Sequence, residues 1–522
     1  MNKLYWILIL SICWSCADQT KKIDDSTVFR YNEHANITSL DPAFSKDQRN
    51  IWACNLIYNG LVQLDNQMKV VPDLATEWEV SPDGLQYNFQ LKKGIYFNRA
   101  GQQAPELTSA DVKYSLERLR DPQLASPGAW VLERVNDIEI VDDYQIQISL
   151  DQPFPAFLGM LSMKYCSVVP EGSGTELRNQ PIGTGPFYLK RWEENVKMVL
   201  RQNQSYWETD AGGNSLPYLE AVAISFKNDK QSEFLEFAQG NLDFINAIDP
   251  SYKDELLTTT GNLKEKYIHS IDLVKAPYLN TEYLGIKIDN PVQELQNPNL
   301  RKAMNLGFDR DKMIKYLRNN IGTPAVHGFI PQGLPGGGIV QGYTYDPKLA
   351  RELVTQYKEE TGDQNPSITI STGANYLDLC EYIQKEWQKI GITVEIEVMT
   401  PSTLRQARKV GQLDVFRSSW IADYPDAENY LALFYSDNFS PKGSNYTHFS
   451  KKQYDQWYET SLSTTNDSIR QSLYVAMDSL IIAEAPIIPL YYDQSVRFIS
   501  KNVKGLESNP VNMLDLTRVY KN

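Results

Sequence analysis

Histidine is scarce in this chain. His34, His269, His327 and His448 are the four among 522 residues, and no two have the spacing of a paired metal ligand. HExxH, a GxSxG elbow, SxxK with its companion motifs and a Walker lysine are all missing, which removes the usual signatures of zinc hydrolysis, acyl transfer and nucleotide hydrolysis. Each histidine therefore reads as a solvated or hydrogen-bonded structural residue. Cysteine is nearly as sparse. Past the first sixteen residues only Cys54, Cys166 and Cys380 remain, too few and too far apart for a CxxC zinc site or an even disulfide framework. One bridge, or three buried thiols, stays open. Basic charge is in deficit, with 51 Lys and Arg against 65 Asp and Glu and a net charge of −14. That excludes a broad phosphate-binding surface, and with it a nucleic-acid partner. No solenoid repeat and no low-complexity tract is present. The length exceeds what one hydrophobic core supports, so two or three lobes are expected.

The N-terminus carries an address. Lys3 precedes an apolar run, Leu4 to Ile12, and a small residue, Ser15, stands before Cys16. The run is too short to span a membrane and has the form of a secretory signal. With the polar ADQTKKIDDS after it, Cys16 resembles the lipidated cysteine of a bacterial lipobox, although Cys13 and Trp14 depart from that motif. The expectation is a lipoprotein signal peptide over 1–15, lipidation at Cys16 and a linker over 16–26. The alternative is an ordinary cleaved signal with a stray cysteine. The folded part is expected outside the cytoplasmic membrane, periplasmic or extracytoplasmic, and attached to a bacterial membrane by lipid only.

Periodicity supplies the elements. Thr27–Glu33 reads as a strand, and Asp47–Leu61 has helical spacing with Ser45 and Gln48 offering a capping box. Hairpins follow around Ser81-Pro82-Asp83-Gly84 and Asp142-Asp143, and Thr108 with Asp111 opens a helix. Gly183-Thr184-Gly185 lacks the length and lysine of a phosphate loop and reads as a turn. The C-terminal half alternates: strands at Ser367–Ile370, Thr393–Val398 and Leu413–Trp420, helices at Tyr376–Ile390 and Ser402–Val410. Two strand–helix–strand units imply a parallel sheet with right-handed crossovers, whose ligands bind beyond the carboxyl ends of its strands. A long helix near Ser468–Ala483 and a strand, Ile487–Tyr492, close the chain.

LDVFRSSWIADYPDAENY, residues 413–430, concentrates the chemistry. Arg417, Ser418, Ser419 and Trp420 end a strand, and Asp423 and Asp426 follow on a proline-bearing loop. Two carboxylates suit a glycosidase-like acid/base pair, so a secreted hydrolase using Asp423 and Asp426 is one reading. The other is binding. A carboxylate takes a ligand ammonium, Arg417 and Arg408 fork onto a carboxylate, and a strand edge pairs with an extended peptide. Alternation puts Arg417 on the opposite strand face from Ser418 and Trp420.

Seven stretches in order, SLDPA (39–43), LATEWEVSPDGLQYNFQLKKGIYF (74–97), LTSADVKYSLERLRDP (107–122), GTGPFYL (183–189), NLRKAMNLGFDRDKMI (299–314), DVFRSSWIADY (414–424) and IIPLYY (487–492), resemble extracellular solute-binding protein family five, the peptide-binding subunits of ABC importers. The resemblance runs from about residue 27 to the C-terminus. It implies an α/β, two-lobed periplasmic-binding-protein-like (type II) clamp with an extra small α+β domain. Domain I would comprise 27–50, 178–275 and 488–522, accessory domain II 51–177, and domain III 276–487. By similarity Asp423 would hold a peptide α-amine, Ser418, Ser419 and Trp420 would offer backbone pairing, and Arg417 and Arg408 would take the peptide carboxylate. Lys46, Asp47 and Gln48 would pair with the ligand from the other lobe, and Tyr376 would line a pocket. Lys46 stands where the family comparison has an acid, and Ile421 where it has a half-cystine. The implied protein is a monomeric, non-enzymatic binder without cofactor or metal that delivers short peptides to an ABC permease and its ATPase subunits. Family members also bind nickel, sugars, opines and haem.

Overall fold

The computed structural model describes residues 25–247, 249, 252–289 and 292–522. The expected signal peptide, Cys16 and most of the linker lie outside the described residues. Ten strands form the path of the largest sheet: β1 (Val28–Glu33), β2 (Phe187–Glu193), β3 (Lys197–Gln202), β4 (Ala221–Phe226), β5 (Phe244–Asn246), β6 (Ile271–Ile286), β7 (Ser367–Gly373), β8 (Thr393–Met399), β9 (Val415–Ile421) and β10 (Ile487–Ser500). Their order is β2-β3-β4-β1-β5-β10-β6-β9-β7-β8, with Thr323–Pro324 added against β10. β1 runs parallel to β4 and β5, and β7 runs parallel to β8 and β9, the parallel unit expected from alternation.

β6 and β10 join the two lobes. Residues 271–277 of β6 pair with 494–500 of β10, whose end pairs with β5 in the first lobe. Residues 281–285 pair with 487–492, and there β6 also pairs with β9 of the second lobe. The register shifts between Pro277 and Thr281. Between these two sets of pairings, at Asp493, β10 passes from one group of partner strands to the other. Two antiparallel strands shared by both lobes form a narrow, hydrogen-bonded connection between them.

Local chemistry explains the elements that carry the site. α1 (Gln48–Ile57) is capped by Asp47, whose carboxylate accepts from the Asn50 amide at 3.2 Å. The expected Ser45–Gln48 capping box does not form, because Ser45 Oγ donates instead to the Pro42 carbonyl at 2.7 Å. α2 (Leu377–Gln388) buries Leu379, Cys380, Ile383 and Trp387, one face at helical spacing. α3 (Pro401–Lys409) has proline in its first turn and buries Leu404 and Ala407. In the accessory region the strands 75–80, 86–91, 145–150 and 135–142 form an antiparallel sheet. The Thr108 amide donates to Asp111 at 2.8 Å, closing the expected cap. Arg118 then forks onto Asp41 with two 2.8 Å bonds, tying the accessory region to the SLDPA turn of the first lobe. Cys54, Cys166 and Cys380 are free and buried. Among the described residues no helix is long and apolar enough to cross a membrane.

Candidate functional site

β9 is paired unequally along its length. On one side it pairs with β6 from Val415 to Ile421, while pairing with β7 ends at Phe416 opposite Ser371. From Arg417 to Ile421 the strand therefore keeps one edge outside the sheet ladder. Alternation then assigns faces. Arg417 projects to one side, where it pairs with Glu282 and lies 3.3 Å from the centroid of the Tyr376 ring. Ser418 projects to the other, where Arg408 donates to its hydroxyl at 2.6 Å and stacks over Tyr446. The two arginines thus serve opposite faces of one strand. Arg417 is neutralised by a buried acid. Among the described residues no carboxylate pairs with Arg408, and its Nε is buried without a partner.

Asp423, two residues beyond β9, lines a cavity of about 640 Å³ between the accessory region and the second lobe. Trp420, Trp130, Met160, Met163, Tyr165 and Tyr435 share its wall. The Asp423 side chain is exposed to the water of the cavity, although protein crowds around it at longer range. This enclosure, followed by the nearby charge of Glu428, pushes its pKa up to about 6. Among the described residues no cationic side chain forms a salt bridge with it. Asp426 differs in kind. It pairs with Arg470, accepts from Tyr474 at 2.7 Å and from the Glu428 amide at 2.9 Å, and is buried. An acid so fully engaged is a fastening for the loop, so the two-carboxylate hydrolase loses one of its members.

Of the first-lobe candidates, Lys46 is exposed and lines a separate cavity of about 370 Å³ with Asp41, Phe44 and Arg178. Gln48 reaches toward the Asn512 carbonyl, 3.5 Å away. Asp47 caps α1, and Arg49 lies 3.5 Å from it. The Tyr165 hydroxyl is held above its ordinary pKa by burial, then by Asp423 and Asp47, so both acids act on one phenol. Residue patterns did not single out Trp130, Tyr165, Met160 or Met163. Their role depends on contact with residues some 260 positions later, which leaves no local signal.

The family model for bacterial extracellular solute-binding proteins, family 5 Middle, matches residues 69–442. The chain belongs to this family. It is similar to the glutathione-binding protein GsiB of Shigella dysenteriae serotype 1, 26% identical over 481 residues and covering 90% of each chain. Among solved structures it resembles the periplasmic binding protein DppA of Helicobacter pylori in complex with the peptide STSA (TM-score 0.79, 26% identity, 95% of this chain and 98% of that one). It shares its fold with Haemophilus influenzae OppA complexed with RPPGFSPFR (TM-score 0.76, 21% identity, 96% and 100% covered). The fold is that of the type II periplasmic binding proteins, as the family-five resemblance implied. The protein is a family 5 substrate-binding protein of the ABC-transporter type, and membership implies an extracytoplasmic location.

Proposed function

We propose that this protein captures short peptides between its two lobes and delivers them to an ABC permease, without chemical change to the ligand. The observation that carries this reading is the free Asp423 carboxylate at the end of a strand edge that has no partner in the sheet. The peptide α-amine meets Asp423, its backbone pairs along Arg417–Ile421, and its carboxylate meets Arg408, the arginine without an acid partner. Ser418 to Asp423 spans five residues, roughly 17 Å at ~3.4 Å per residue, the length of a tetra- or pentapeptide. Lys46, Asp47 and Gln48 close on the ligand from the first lobe, and Tyr376 holds Arg417 in place.

A second reading comes from the relatives named as glutathione-binding proteins: the cargo is glutathione, itself a peptide-like zwitterion. Mass spectrometry of ligand released by denaturing the purified protein decides between them. Recovery of intact α-peptides supports the first reading, glutathione alone the second, and turnover of added peptide at low protein concentration removes both. Lipidation at Cys16 belongs to the same proposal. Cells fed a labelled fatty acid should label the parent and not Cys16→Ser. The soluble form should elute as a monomer.

A further inference from the structure

Beyond β10 the chain enters a stretch, residues 505–519, that is neither helix nor strand, closed at its base where Val503–Lys504 pairs with Tyr520–Lys521. One side chain organises its first half. Arg497 of β10 is fully buried, and its guanidinium donates to the Glu507 carbonyl at 2.6 Å, the Met513 carbonyl at 2.8 Å and Asn512 Oδ1 at 3.0 Å. A planar fork of fixed donors thus pins three points of an irregular chain, which a point charge would not do. Asn512 has a left-handed backbone, φ 53°, a conformation asparagine tolerates better than most residues. Its Nδ2 donates to Asn246 Oδ1 at the end of β5, 3.3 Å away. The Glu507 carboxylate accepts from the Asn66 side chain of the accessory region.

From this pinned segment contacts run to both halves of the site. Toward α1, the Asn512 carbonyl accepts from Trp52 Nε1 at 2.9 Å and lies 3.5 Å from Gln48 Nε2. Toward the second lobe, the Pro510 carbonyl accepts from the Leu279 amide at 2.8 Å. The Leu279 carbonyl in turn accepts from the Ala422 amide at 2.8 Å and the Tyr430 hydroxyl at 3.0 Å. Ala422 is the residue before Asp423. Val511 packs against the apolar cluster that holds Leu279, Phe329 and Tyr430 together with Met68 of the accessory region. Gln48 and Asp423 belong to different lobes, yet a single segment reaches the first directly and the second through Leu279 and Ala422.

We propose that residues 507–513 form a positioning strap that sets Gln48 and Asp423 at one separation, with Pro510 and Asn512 as the positioning residues. Through the roles given to Gln48 and Asp423 this rests on the peptide reading above, whereas the effect on lobe geometry needs no ligand. β6 and β10 join the lobes as one pair of strands. The strap adds a second attachment, built of directional bonds between buried groups. Loosening it lets the lobes sample more separations. Fewer molecules then present both residues together, and apparent affinity falls by that fraction for every ligand alike.

Spin labels at Arg191→Cys and Lys348→Cys, exposed and in different lobes, report the separation by double electron–electron resonance in the full, ligand-free protein. The native Cys54, Cys166 and Cys380 are buried. Asn512→Gly keeps the left-handed backbone and drops the side-chain bonds to Arg497 and Asn246, so the distance distribution should at least double in width. Asn512→Asp keeps Oδ1 for Arg497 and should restore the parent width, which a general loss of stability would not explain. Equal widths in the parent and a folded Asn512→Gly overturn the strap and leave the peptide reading standing. Calorimetry with Ala-Ala-Ala and Ala-Ala-Ala-Ala should show both weakened at least fivefold in Asn512→Gly, by the same factor. Loss confined to one of them counts against the strap. If neither peptide binds the parent, the peptide reading falls and the spin-label widths still decide the strap. Val511→Ala makes the same measurements should Asn512→Gly fail to fold.

Discussion

Gly159 and Pro425 are packed so closely that a β-carbon on Gly159 would lie 3.0 Å from the proline Cδ. Gly159 belongs to the accessory helix Phe157–Leu161, and Pro425 to the loop that carries Asp423. The missing side chain lets this loop seat on the accessory region, where Tyr424 joins the core of the first lobe and the accessory region. Gly159→Val should hold the two surfaces apart, weaken peptide binding about tenfold and leave the liganded protein more extended in small-angle scattering. Gly159→Ala gains roughly 0.5–1 kcal/mol of helix propensity. Its Tm should therefore hold or rise while affinity drops modestly, separating closure from folding.

Asp423 ties ligand binding to pH. An ammonium needs the ionised carboxylate, and the free protein holds that carboxyl near 6. Affinity should be flat above pH 7 and fall about tenfold per unit below pH 6, with a proton released on binding in that range. Asp423→Asn should cost about 2–5 kcal/mol of peptide affinity and abolish this slope. For folding the sign reverses. A carboxyl whose pKa is raised in the folded state contributes a penalty that begins above its unfolded pKa and is complete above about 6. The ligand-free Asn variant should therefore melt higher at pH 7, by about 1 kcal/mol once the water of the cleft is allowed for. Calorimetric titration from pH 5 to 8 and thermal melts of parent and variant check both signs.

How much of this was legible in the sequence follows from the range of the contacts involved. Strict alternation placed Arg417 and Ser418 on opposite faces, and the structure puts Glu282 with one and Arg408 with the other. The parallel β7–β9 unit was equally plain, since its strands and helices follow each other in order. The helix Pro347–Thr361 was missed despite clear signals: Asp346 as cap, proline in the first turn and a left-handed Gly362 at its end. The strand expected at Ile487–Tyr492 runs on to Ser500, because its second half pairs in the other lobe, a long-range fact. The cavity wall had no signature for the same reason. Trp130 and Trp420 are far apart in the chain and share a wall only when two lobes meet.

The two arginines should fail in different ways. Glu282 is 2% exposed and paired with Arg417. Removing either partner strands a buried charge, so Arg417→Ala and Glu282→Gln should each cost about 3–5 kcal/mol of stability in denaturant melts. Arg408 is half-buried and donates to Ser418 Oγ, so Arg408→Ala should cost only about 1 kcal/mol. Its loss should show in binding instead. A peptide with a free C-terminus should bind Arg408→Ala at least tenfold more weakly than the parent. The corresponding peptide amide should bind both alike, and a loss for the amide as large as for the acid would take Arg408 away from the ligand carboxylate.

Asp426 separates binding from hydrolysis. Its carboxylate is shared by Arg470, Tyr474 and the Glu428 amide, and burial leaves little room for it to reach a substrate. Asp426→Asn removes the charge that Arg470 faces, leaving a guanidinium in a buried site with the neutral Tyr474 hydroxyl and one acid, Asp467, that is almost wholly exposed. The expected cost is about 3 kcal/mol of stability, with affinity for peptide reduced only through a looser Asp423 loop. A catalytic acid would behave otherwise. Its asparagine variant would keep its fold and lose turnover. Urea melts beside a peptide-hydrolysis assay distinguish the two: a lower midpoint with no turnover in parent or variant fits the binder, and measurable turnover in the parent that vanishes in a fully stable variant overturns it.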